Sequence, residues 1–142
     1  MAHPAERRAR WLAPRLLAAL LLVVGIVGCA AAWILLSLAS ASQCSWMALL
    51  AGLDAALLLR LSGLRRGNAR MLLGLGATAV TIVAASWGIA ATQMGRSVGV
   101  LPWISATKLG PGFAWTLLGL ANTPVDWAWL GAGLVAGAVL SR

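Results

Sequence analysis

The chain has 142 residues, 61% of them hydrophobic and only 10% charged, with a net charge of +8. A water-soluble domain carries about a quarter charged residues, so too little polar surface is present to cover a globule and the apolar surplus must face lipid. The basic excess sits in short flanks beside apolar runs, not on a face interleaved with aromatics, which points to membrane orientation and away from nucleic acid as a partner.

Residues 1–15 set four arginines against one glutamate and include two prolines. They read as a basic, partly disordered cytoplasmic flank. His3 has no second ligand nearby and reads as an exposed tail residue, not a metal ligand.

Residues 16–142 read as one transmembrane domain. Its first span, about 16–39, is a run of about 24 residues without a charge, enough to cross a hydrocarbon core of about 30 Å with some tilt. Residues 26–29 fit a lipoprotein signal and residues 39–41 a small-residue cleavage site. The run continues past Cys29, however, and exceeds the roughly 7–15 apolar residues of a signal peptide. An uncleaved, unlipidated span is expected. The uncharged connection at 40–45 suffices only for a tight hairpin, with Ser42 or Ser45 as helix cap and Trp46 at the interface. Cys29 and Cys44 would stand about 22 Å apart along a helix, beyond disulfide reach, and no dithiol pair exists.

The second span, about 46–64, carries one carboxylate, Asp54, and is closed by Arg60, Arg65, Arg66 and Arg70. Nine basic residues flank the presumed inner ends (Arg7, Arg8, Arg10, Arg15, those four and Arg142) and two the outer ends (Arg96 and Lys108), which places both termini in the cytoplasm. An ionised, unpaired Asp54 at mid-span costs at least about 2.5 kcal/mol. Leu50, Ala51, Leu57 and Leu58, three and four positions away, offer nothing polar. Partners are therefore expected from the third span, at Thr78, Thr81 and Ser86. The residue reads either as a proton or cation site, or as a protonated acid in an interhelical hydrogen bond, or as a partner of a snorkelling Arg60.

The third span, about 71–94, has small-residue rows, Ala77, Thr81 and Ala85 on one and Ala84, Gly88 and Thr92 on the next, and is expected to be the most buried helix. Residues 95–123 divide at Gly110, Pro111 and Gly112 into two apolar pieces too short to span. They are expected as short helices on, or dipping into, the outer interface, with Trp103 and Trp115 as anchors and Lys108 toward water or lipid phosphate. The rival is a fifth span kinked at Pro111, which would bury Lys108 and put the C-terminus outside.

The last span, 124–141, opens with Thr123 as N-cap, Pro124 in the first turn and Asp126 three residues after the cap, followed by Trp127. Asp126 is expected to face the helix N-terminus in preference to a ligand. Gly133, Gly137 and Ser141 form a helix-contact face, whose partner the motif leaves open. Of eight tryptophans, Trp11, Trp46, Trp103, Trp115, Trp127 and Trp129 fall at span ends, whereas Trp33 and Trp87 lie deeper and suit packing against a partner.

No Ser-His-Asp set, metal cluster, phosphate loop or pair of intramembrane histidines is present, so no catalytic residue, metal or cofactor is expected. The expectation is an all-α bundle of four transmembrane helices, N-in and C-in, in a bacterial inner membrane, with an interfacial or re-entrant segment between helices 3 and 4. Three functions are open to it: a non-enzymatic subunit, anchor or assembly factor of a larger membrane complex; a small oligomeric transporter or channel using Asp54; or an enzyme acting on lipid or quinone. Expected partners are membrane lipids and either other membrane subunits or further copies of the chain.

Overall fold

The computed structural model describes the backbone of residues 4–142 and the side chains from residue 12 onward. His3 and the side chains of Arg7, Arg8, Arg10 and Trp11 lie outside the described residues. The described chain is all helical: α1 Pro4–Ser40, α2 Met47–Leu61, α3 Asn68–Val98, α4 Pro102–Lys108, α5 Pro111–Ala121 and α6 Pro124–Ser141. Three helices, α1, α3 and α6, are long and apolar enough to cross a membrane.

The basic flank is not separate from the first apolar run. The α1 helix begins at Pro4, passes through Pro14 and extends for 37 residues, about 55 Å. Proline at 14 removes one backbone donor, but the surrounding alanines, leucines and arginines are strong helix formers and carry the helix through.

The turn after α1 is held by α1 side chains that donate to the turn's carbonyls. The Trp33 indole donates to the Gln43 carbonyl at 3.0 Å and the Ser37 hydroxyl to the Ser42 carbonyl at 2.5 Å. Ala41 and Cys44 take positive φ angles of 49° and 48°, which folds the connection into a tight hairpin. Neither Ser42 nor Ser45 caps α2, a correction to the expected start. Its first amides instead bond to the Cys44 and Ser45 carbonyls, at 2.9 and 3.0 Å.

In the most apolar stretch of each long helix, 44% of α3 is buried, against 17% of α1 and 22% of α6, so α3 is the most buried of the three long helices, while the shorter α2 buries seven of its 15 residues. One apolar cluster, Ala30, Trp33, Met47, Ala48, Ala85, Ile89 and Leu130, fills the α4–α5 end of the bundle. A second, Ala18, Leu22, Ala55, Leu59 and Ala77, fills the other end. Trp33 is thus spent on the chain's own core. The Ala77, Thr81 and Ala85 row is buried, whereas on the neighbouring row Ala84 is exposed and Gly88 packs on Ile34 of α1.

Residues 95–123 fold as two short helices. At seven and eleven residues, about 10 and 16 Å, neither α4 nor α5 can cross a core of about 30 Å.

Candidate functional site

Asp54 sits half-buried on α2 and turns toward α1, not toward the expected donors on α3. The absent Cβ of Gly25 on α1 leaves the space it occupies: a methyl group there would lie 2.8 Å from Asp54 Oδ2 and collide with Leu58. The hydroxyls of Thr78 and Thr81 donate to the Gly74 and Ala77 carbonyls of their own helix, at 2.8 and 2.9 Å. Ser86 lines a cavity near the α4–α5 end. No hydrogen bond joins Thr78, Thr81 or Ser86 to Asp54 among the described residues, and the two threonines instead satisfy their hydroxyls on the preceding turn of their own helix. Arg60 does not pair with Asp54 either; its guanidinium donates to the Leu140 carbonyl at 3.3 Å.

The small-residue faces meet one another inside the chain. Gly133, Gly137 and Ser141 of α6 lie in the groove between Ala48 and Gly52 of α2 and Gly74 and Thr78 of α3. A methyl group at Gly52 would stand 2.9 Å from the Gly137 nitrogen and against the Gly133 carbonyl. At Gly74 it would meet the Gly137 carbonyl at 2.5 Å and the Ser141 side chain. Such approach stands in for the hydrophobic drive that lipid does not supply between helices. The G-x-x-x-G face is therefore occupied by the protein's own α2 and α3.

The arginine cluster has a structural part that its charge alone did not indicate. Arg70 is buried, and its Nε donates to the Ser141 carbonyl. Its two remaining nitrogens reach the Arg142 carbonyl at 3.1 Å and the Leu64 carbonyl at 3.3 Å. With Arg60 on Leu140, two guanidinium groups satisfy the last carbonyls of α6, where the helix dipole is negative. Arg65 and Arg66 are exposed.

At its start α6 carries a complete capping box. The Asp126 amide donates to the Thr123 hydroxyl at 3.4 Å, and the Thr123 amide and hydroxyl donate to Asp126 Oδ2 at 2.8 and 2.7 Å. Both side chains are thereby committed to the helix end. Replacing Thr123 by alanine should cost about 1 kcal/mol. Thermal unfolding in detergent should register this as a Tm lower by a few degrees, and an unchanged Tm would mean the box contributes nothing. Trp115 and Trp127 pack at 6.3 Å between ring centroids, joining α5 to α6, while Trp103 and Lys108 on α4 are exposed.

Beside this corner lies a cavity of about 350 Å³ between α3 and α5. Its polar wall is Gln43, Ser86, Gln93 and Ser97, and its apolar wall includes Phe113, Leu117 and Leu118. The Gln43 amide donates to Asn122 Oδ1 at 3.4 Å, tying the α1–α2 hairpin to the end of α5. Sequence reasoning missed Gln43, Gln93 and Asn122, since lone amides near helix ends carry no distinctive spacing. None of the lining residues is acidic, basic or a metal-ligating thiol or imidazole, so the cavity can hold a molecule by shape and neutral hydrogen bonds but has no group to move a proton. No protein-family model, curated protein or solved structure matches this chain.

Proposed function

We propose that the protein is a non-enzymatic accessory subunit, anchor or assembly factor of a larger membrane complex, built as four spans with both termini in the cytoplasm of a bacterial inner membrane. In this reading α2 is the second span, and α4 and α5 lie at the outer interface. At 15 residues and about 22 Å, α2 is shorter than the hydrocarbon core, so the bilayer thins around it and its flanking arginines reach the interface. Arg60, Arg65, Arg66, Arg70 and Arg142 then gather on the cytoplasmic side.

The observation that carries the reading is where the buried polar groups go. Thr78, Thr81, Ser37, Ser62 and Arg70 donate to main-chain carbonyls of the same chain, the hydroxyls of Ser45, Ser105 and Ser141 have no partner among the described residues, and no hydrogen bond joins any of them to Asp54. Transport through a bundle needs a series of polar groups or a hydrated path, and catalysis needs at least two groups facing one space. With most buried polar side chains bound to the backbone and none but neutral groups around the one polar cavity, the surface is the part of the chain best suited to act.

Asp54 favours the second reading, an oligomeric proton or cation carrier, because the described residues give its carboxylate no hydrogen-bond partner at a depth where an unpaired acid is costly. Asp54→Asn separates the two. A subunit should accumulate, assemble and support its complex at near wild-type level with asparagine. A carrier reconstituted in liposomes should lose proton or cation flux by at least about tenfold, as expected when the coupling group can no longer titrate. Loss of such flux in Asp54→Asn would overturn the subunit reading.

A further inference from the structure

Next to the polar cavity, and sharing Met94 and Phe113 with it, is a second space of about 250 Å³. It runs over the outer end of α3 and is lined by Ile104, Ser105 and Lys108 of α4. The two spaces form one groove, and together they reach the range of about 300–1,000 Å³ typical of small-molecule sites. We propose that this groove binds one anionic phospholipid. Its phosphate sits at Lys108 and Ser105, and an acyl chain runs across Met94 and Phe113 toward Leu117 and Leu118.

Three observations place the ends of the ligand. Lys108 is the only charged residue lining either space, so the charged end of an amphiphile belongs there. Ser105, three residues earlier on the same helix, lines the same space from its α3 side. The residue is 95% buried and lies against Gly95 of α3, and its hydroxyl, like those of Ser45 and Ser141, has no hydrogen-bond partner among the described residues. A hydroxyl left so costs about 1–3 kcal/mol, and a turn of the Ser105 side chain from Gly95 toward the Lys108 ammonium would let a phosphate oxygen satisfy it. Beyond Phe113 the wall is Leu117, Leu118 and Ile89, which suits hydrocarbon, while Gln93 and Ser97, beside Met94 on α3, can meet the ester region. The proposal uses the interfacial position of α4 given above and is independent of the subunit role.

The test is lipid retention by the full-length protein, moved from phosphatidylcholine nanodiscs doped with phosphatidylglycerol and read by native mass spectrometry. The wild type should keep one phosphatidylglycerol in preference to phosphatidylcholine. Lys108→Gln should lower that preference about fivefold, the effect of one lysine at a lipid phosphate, and Lys108→Arg should restore it. Ser105→Ala should lower it about threefold. Arg96→Gln, a charge near the groove but outside its lining, should leave it unchanged. Lys108 is exposed, so its variants are expected to keep the wild-type Tm. The site is ruled out if Lys108→Gln retains the wild-type preference, if Arg96→Gln lowers it equally, or if inorganic phosphate alone displaces the bound lipid. Reaction of Lys108→Cys with a membrane-impermeant maleimide, in a background lacking Cys29 and Cys44, tests the interfacial position separately.

Discussion

Gly137→Leu is expected to abolish the folded bundle. A side chain at that position meets the Thr78 hydroxyl, and the Gly74 carbonyl 3.1 Å away is helix backbone that cannot step aside without opening the α3–α6 contact. Overpacking of this kind costs about 3 kcal/mol or more, a large part of the stability of a small domain. Gly131, one helical face away, has open space around it, and Gly131→Leu should be tolerated. Thermal unfolding and size-exclusion profiles in mild detergent should therefore show an unfolded or aggregated Gly137→Leu protein beside a normal Gly131→Leu protein. Because α6 packs against its own chain, this loss should appear in the isolated protein, with no partner present. A Gly137→Leu protein that stays folded alone and fails only to assemble would mean that the face serves a partner instead.

Arg70→Met is expected to have the next largest effect. It removes the donors to the Ser141, Arg142 and Leu64 carbonyls, and Ser141 is fully buried. Hydrogen bonds to a charged donor are worth about 1.5–3 kcal/mol each, and water at the bundle end replaces some of them, so a net loss of about 3 kcal/mol is expected. Arg65→Gln removes the same unit of charge from an exposed position and should leave Tm unchanged. The comparison isolates the clamp from the contribution of charge to orientation. Limited proteolysis should release the C-terminal end of α6 in Arg70→Met and not in Arg65→Gln; equal resistance would contradict the clamp.

The features readable in advance were those with a local cause. The start of α6 follows from Thr123, Pro124 and Asp126 at capping spacing, and the break between α4 and α5 follows from Gly110 and Pro111, which stop one helix and open the next. What depends on how helices rotate against one another was not readable. The apolar pattern of α2 says that Asp54 is on a helix but not that Gly25 of α1 lies opposite. Spacing identifies Gly133 and Gly137 as a contact face, yet any small-residue face could complement it. Arg70 looked like one of four orientation charges, although its four-residue spacing to Gly74 and Thr78 places it on the buried row of α3. The flank before residue 16 was read as irregular because Pro14 and the arginines resemble a boundary, whereas one proline does not outweigh a long run of helix formers.

The subunit role is tested most directly by the mass of the protein extracted from its own host into native nanodiscs, with the components identified at their stoichiometry. A subunit or assembly factor predicts a particle whose mass whole copies of the 14.6 kDa chain do not account for, holding a different membrane protein at a fixed ratio that survives Asp54→Asn. A particle made only of this chain, whose reconstituted form carries protons or cations and loses that flux with Asp54→Asn, would contradict it.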